Sequence, residues 1–86
     1  MKSIEERLAY MTDEELESSW NAVNTSIGGY PIGRLNDTPR RALKREGFVV
    51  FRAFTAHSGL PGALGVKHGT VMAVMDVNGP WAVEMT

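Results

Sequence analysis

FVVFRAFTAHSGLPGALGVKHGTVMAVMDVNGPWAVEMT, residues 48–86, is the stretch whose division into strands and loops decides the fold. It opens with FVVFRAF at 48–54, which is rich in strand-forming side chains. TVMAVMDV at 70–77 has the same character, and Asn78-Gly79 after it is a two-residue hairpin signal. PWAVEMT then returns as a last strand, with Trp81, Val83 and Met85 on one face. Pro80 has no N–H to give a ladder, so this strand should begin at an edge or beside a bulge. Between the first two strands, TAHSGLPGALGVKHG at 55–69 holds four of the nine glycines and a proline, and reads as a long loop. The expectation is a three-stranded antiparallel meander.

Helical signals lie before this stretch. Ser3-Ile4-Glu5-Glu6 has the form of a capping box, and Ile4 and Leu8 share a face, so a short helix is expected over 4–10. Thr12-Asp13-Glu14-Glu15 is a second box. Leu16, Trp20, Val23 and Ile27 follow at helical spacing, giving a helix over 13–25 that Gly28-Gly29 ends. Residues 28–37, GGYPIGRLND, form a connector. Asp37 or Thr38 then caps a third helix over 39–46. Pro39 suits its first position and Gly47 the residue after its end, with Leu43 and Phe48 as the apolar pair of a Schellman ending.

The predicted fold is α+β in a single domain, 1–86: two or three N-terminal helices packed on a three-stranded meander. One sheet face should pack on Leu16, Trp20, Val23 and Leu43, with Trp20 buried at the centre of the helical stripe. The strand at 70–77 is apolar on both sides. Val71, Ala73, Met75 and Val77 face one way, and Met72 and Val74 the other, beside Thr70 and Asp76. A large bare apolar face is rare on a monomer, so a homodimer is expected.

The totals narrow the class. The chain has no cysteine, which leaves neither a disulfide framework nor a thiolate metal site. No leader is visible, and no run approaches the ~20 apolar residues of a membrane span. These absences suggest a cytoplasmic protein with no membrane partner.

Charge is unevenly spread behind a formal net of -1. Residues 1–26 carry Lys2 and Arg7 against Glu5, Glu6, Asp13, Glu14, Glu15 and Glu17, a net of -4. Residues 27–55 carry Arg34, Arg40, Arg41, Lys44, Arg45 and Arg52 against Asp37 and Glu46, a net of +4. Within the third helix, TPRRALKREG, the basic residues Arg40, Lys44, Arg41 and Arg45 fall at about 0°, 40°, 100° and 140° on a helical wheel, opposite Pro39, Ala42 and Leu43. Guanidinium groups on such an edge bind phosphate or carboxylate through paired hydrogen bonds. The plainer alternative is a solvated face, neutralised by the acidic helices.

Catalytic readings are weak. His57-Ser58, His68 and Asp76 assemble a hydrolytic set only on paper, because no nucleophile elbow surrounds Ser58. The two histidines lack metal-ligand spacing, and the phosphate-loop pattern is not met at Lys67-His68. No enzyme, metal or cofactor is therefore expected. The best-supported function is a small binding module acting by protein–protein contact, as an inhibitor or regulator of a larger protein. Its expected contact residues are Arg34, Arg40, Arg41, Lys44 and Arg45, with Leu60 and Leu64 as apolar contacts at the tip of the 55–69 loop. Nucleic-acid binding by the 39–46 helix is the alternative, since three helices followed by a hairpin is the element order of a winged helix. The connector is too long for a helix-turn-helix, and the chain is slightly acidic rather than basic.

Overall fold

The computed structural model describes residues 3–85. Local capping chemistry starts each helix. Helix α1 (Ile4–Ala9) begins at Ser3, whose hydroxyl accepts from the Glu6 amide at 3.2 Å. Helix α2 (Asp13–Ser26) begins at Thr12 with a full capping box. The Glu15 amide donates to Thr12 Oγ1 at 3.1 Å, and the Thr12 amide to Glu15 Oε1 at 3.3 Å. A two-residue strand β1 (Tyr30–Pro31) lies in the connector, and α3 (Pro39–Arg45) follows it. Thr38 caps α3, and Gly47 takes the left-handed conformation after its end (φ 89°). The Gly47 amide donates to Lys44 O and the Phe48 amide to Leu43 O, both at 3.0 Å, which completes the Schellman ending expected from the sequence.

The rest of the chain is a four-strand meander: β2 (Val49–Thr55), β3 (Pro61–Lys67), β4 (Thr70–Asp76) and β5 (Pro80–Met85). With β1 paired to β5 they form one antiparallel sheet in the order β1-β5-β4-β3-β2. This corrects the expected three-stranded meander: the described residues form three helices on a five-stranded sheet. The difference lies in residues 55–69. They are not a long loop but a tight turn, a whole strand and a two-residue second turn.

The glycines that suggested a loop have another role. Gly62 pairs with Phe54 across β2 and β3, and the Phe54 ring lies where a Gly62 side chain would be. On the other sheet face, Leu43 and Phe48 close over Gly65. Both are packing positions inside a strand whose residues Gly62, Ala63, Leu64 and Gly65 are all buried. His68 (φ 50°) and Gly69 (φ 78°) both take positive φ, so they close β3 onto β4 as a two-residue hairpin turn. At the other end, Asn78 (φ 55°) and Gly79 (φ 101°) form the β4–β5 turn together with Val77.

The sheet is covered on both faces. Leu8 of α1 and Leu16 and Trp20 of α2 pack on Phe54, Leu64, Val71, Ala73, Met75, Val83 and Met85. Trp20 is buried, and its indole N–H donates to the Ala73 carbonyl at 3.2 Å. Trp81 ties the same helix to the sheet through Asn24 Oδ1 at 2.9 Å. On the opposite face, Ala42 and Leu43 of α3 pack on Phe48, Ala63, Met72, Val74 and Ala82. Leu43 therefore does not share a face with Leu16, Trp20 and Val23, as the sequence had suggested. Ile27 also leaves the expected stripe, because α2 ends before it and leaves it 72% exposed.

The apolar character of β4 on both sides is thus explained within one chain. Met72 and Val74 lie under α3, so the bare face that motivated the homodimer does not exist.

The two readings of 55–69 differ in what a methyl group at Gly62 would do. In a loop it would be neutral or slightly stabilising, because alanine restricts the unfolded chain. Under the Phe54 ring it overpacks the core. Gly62→Ala is expected to cost about 1–3 kcal/mol in urea unfolding. An unchanged midpoint would return this segment to the loop reading.

Candidate binding surface on the third helix

The surface begins with a buried carboxylate. Asp37 sits one residue before the α3 cap and is 9% exposed. Its Oδ2 accepts from the Arg34 amide at 2.9 Å and from the Arg45 guanidinium. The Asp37 amide in turn donates to Arg34 O at 2.9 Å, closing a turn over residues 34–37. Gly33 (φ 76°) brings the chain close beneath Asp37, where a side chain would overlap the carboxylate. Asp37 thus fixes the entry to α3, and Arg45 holds the other end of the helix to that anchor.

The remaining basic residues of α3 have a different status. Arg40, Arg41 and Lys44 are exposed, and none makes an ion pair among the described residues. Ala42 and Leu43 are fully buried on the inner side of the same helix, so the cations project from a fixed base.

The acidic residues of α2 lie across the sheet, and three of the four are occupied there. Glu15 serves the capping box. Asp13 pairs with Arg52 at 2.9 Å and accepts from the Thr55 amide at 3.3 Å. Glu17 accepts from the His57 amide at 2.8 Å. Within α3, internal neutralisation reaches only Arg45.

Two further cations are structural. Arg52 donates to the Leu8 and Ala9 carbonyls at 2.8 and 2.9 Å, capping the end of α1 as well as pairing with Asp13. Lys67 Nζ donates to Glu46 O at 2.7 Å and lies 4.8 Å from the centre of the Phe48 ring. On the far flank, the Tyr30 hydroxyl donates to Met72 Sδ at 3.7 Å. Burial, then Glu84 and Glu46, raise its pKa above the ordinary tyrosine value. Acidic groups therefore border the β5 side of this face, while Arg40 and Lys44 face the β2 side.

There, Arg40 and Lys44 line a groove of about 380 Å³ whose other wall is Val50, Phe51, Arg52 and Ala53 of β2. None of these wall residues is among the contacts expected from the sequence. The one visible sign of the wall is an arginine inside an apolar strand, FVVFRAF.

The expected contact residues divide accordingly. Arg40, Arg41 and Lys44 share the exposed edge. Arg45 is committed to Asp37, and Arg34 contributes its backbone amide to the same anchor. Leu60 and Leu64 are not a loop tip. Leu60 is half-buried against the first core cluster, and Leu64 is fully buried at the centre of β3, where it cannot touch a partner.

The paper hydrolytic set is not assembled either. His57 and Ser58 lie in the β2–β3 turn, whereas His68 lies beyond the opposite end of β3, roughly 20 Å away along a strand of that length. Among the described residues no group of three or more His, Asp or Glu side chains is placed to hold a metal ion. No helix among them is long and apolar enough to cross a membrane.

No family matches this chain, and no curated protein or solved structure shows significant similarity to it.

The Asp37 anchor has a pH signature. The Arg34 amide and then the Arg45 guanidinium hold its carboxyl below the ordinary range, against the opposing effect of burial. The folded state therefore binds this proton less readily than the unfolded chain. The resulting stability is present above the ordinary carboxylate value, near pH 4, and is lost as pH falls through the lower folded value. Asp37→Asn is expected to lower stability at neutral pH and to flatten its dependence on pH below about 4. Urea unfolding at a series of pH values measures this. An unchanged acid slope would show that Asp37 is not the anchor.

Proposed function

We propose that this chain is a non-catalytic binding module that acts by protein–protein contact, gripping an acidic surface with Arg40, Arg41 and Lys44. One observation supports this most. These residues project from a helix fixed to the sheet, with no carboxylate partner among the described residues, while the acidic helix lies on the opposite face. Exposed cations preorganised in this way bind anionic partners without first breaking internal pairs. A small inhibitor or regulator of a larger protein is the role that such a module fills. We place it in the cytoplasm as part of the same proposal, since a chain without cysteine suits a reducing compartment.

Nucleic acid is the second reading, favoured by the two adjacent arginines, whose guanidinium groups also fit phosphate. The winged-helix element order no longer supports it, because α3 lies flat on a five-stranded sheet.

Fluorescence anisotropy with labelled polyglutamate and with a labelled random-sequence duplex separates the two. Wild-type protein is expected to bind polyglutamate at low salt. The double variant Arg40→Glu/Lys44→Glu should remain folded, with stability changed by less than about 0.5 kcal/mol, since both side chains are exposed. It should lose polyglutamate affinity by at least about tenfold. Preference for the duplex, with affinity falling steeply as salt rises, would favour the nucleic-acid reading. Binding to neither probe would overturn both.

A further inference from the structure

We infer that the acidic partner enters as an extended strand on the outer edge of β2, with alternate acidic side chains directed at Arg40 and Lys44. The inference rests on the function proposed above and adds the form in which the partner binds. Among the described residues β2 is the last strand of the sheet, paired only with β3. Its outer side faces away from every other strand.

The direction of its free groups follows from one hydrogen bond. The Thr55 amide donates to Asp13 Oδ2, so it points away from β3. Amides alternate along a strand, so Ala53, two residues earlier, directs its N–H and C=O the same way. Ala53 is exposed, and Val49 at the start of the strand is 69% exposed.

The charges beside this edge are graded along it. Asp13 and Glu17 close the far end by taking the Thr55 and His57 amides, and an acidic strand is repelled there. At the near end, Arg40 and Lys44 stand over Val50 and Ala53 across the groove. A strand laid along residues 49–53 would place every second side chain on the α3 side. Glutamate or aspartate at those positions would meet the two cations, while the intervening residues would lie beside Phe51. The irregularity between Val50 and Arg52 shortens the tract available for pairing. It twists the edge and discourages indiscriminate strand addition, so side-chain charge has to supply the selectivity. Main-chain bonds for affinity and alternate pockets for specificity are the general features of strand addition.

The test uses a short peptide alternating glutamate and threonine. Its N-methylated counterpart lacks the amides at alternate positions, and a scrambled peptide keeps its composition. The unmodified peptide is expected to bind and to slow hydrogen exchange at the Ala53 amide. N-methylation in the pairing frame should weaken binding by about tenfold or more. Ala53→Pro removes the outward donor from the protein side, and proline is tolerated where an edge amide faces solvent. It should cause a similar loss. The N-methylated peptide gives the same information should that variant fail to fold.

If the peptide binds and Lys44→Glu abolishes binding, but N-methylation, scrambling and Ala53→Pro each change affinity by less than about twofold, the strand geometry is wrong and the acidic contact stands. If neither this peptide nor polyglutamate binds, the underlying function falls with it.

Discussion

Leu43 seated on Gly65 is the contact on which the rest of this structure depends. A β-sheet with two apolar faces needs two covers, and the helices before residue 27 supply only one. The second is a helix of only seven residues. So short a helix gains little from its own hydrogen bonds and is held mainly by what it buries. Leu43 and Ala42 are fully buried, and complete burial of a leucine stabilises by about 1.5–3 kcal/mol. The missing side chain at Gly65 lets Leu43 and Phe48 come close to the sheet. A side chain there would crowd both, and each would have to give by a few tenths of an ångström.

That seating also decides the electrostatics. With Ala42 and Leu43 inward, helical geometry turns Arg40, Arg41 and Lys44 outward, on the face opposite the acidic α2. The sheet then keeps the two sets of charge apart. Where opposite charges do meet among the described residues, they serve as fasteners: Asp37 before α3 with Arg45 at its end, and Asp13 with Arg52 between α2 and the edge of β2. The cations left over are the ones the fold does not use, which is why the binding proposal rests on them.

The helices were legible in the sequence because their signals are local. Thr12, Thr38, Pro39 and Gly47 each act within a few residues and are found in their expected roles, and Ser3 caps α1 through one half of the expected box, accepting from the Glu6 amide. The sheet was less legible because its signals act across space. Gly62 and Gly65 look like loop residues in one dimension. They become strand residues only when Phe54 and Leu43 are seen filling the room they leave. The His68-Gly69 turn was hidden because His-Gly is not among the Asn-Gly, Asp-Gly or Gly-Gly pairs that mark a two-residue hairpin. The basic edge of the candidate site could be read from a helical wheel. Its β2 wall and the removal of Arg45 from the free set could not, because both depend on tertiary neighbours. Leu64 shows the reverse error: once its segment was taken for a loop, a core side chain looked available for binding.

The claim that α3 covers the second sheet face through Leu43 is tested most directly by nuclear Overhauser effects from the Leu43 methyl groups in the folded protein. The structure predicts strong cross-peaks to the Gly65 α-protons and to Met72. Cross-peaks from Leu43 to the Trp20 ring instead, with none to Gly65, would put all three helices on one face and contradict this account.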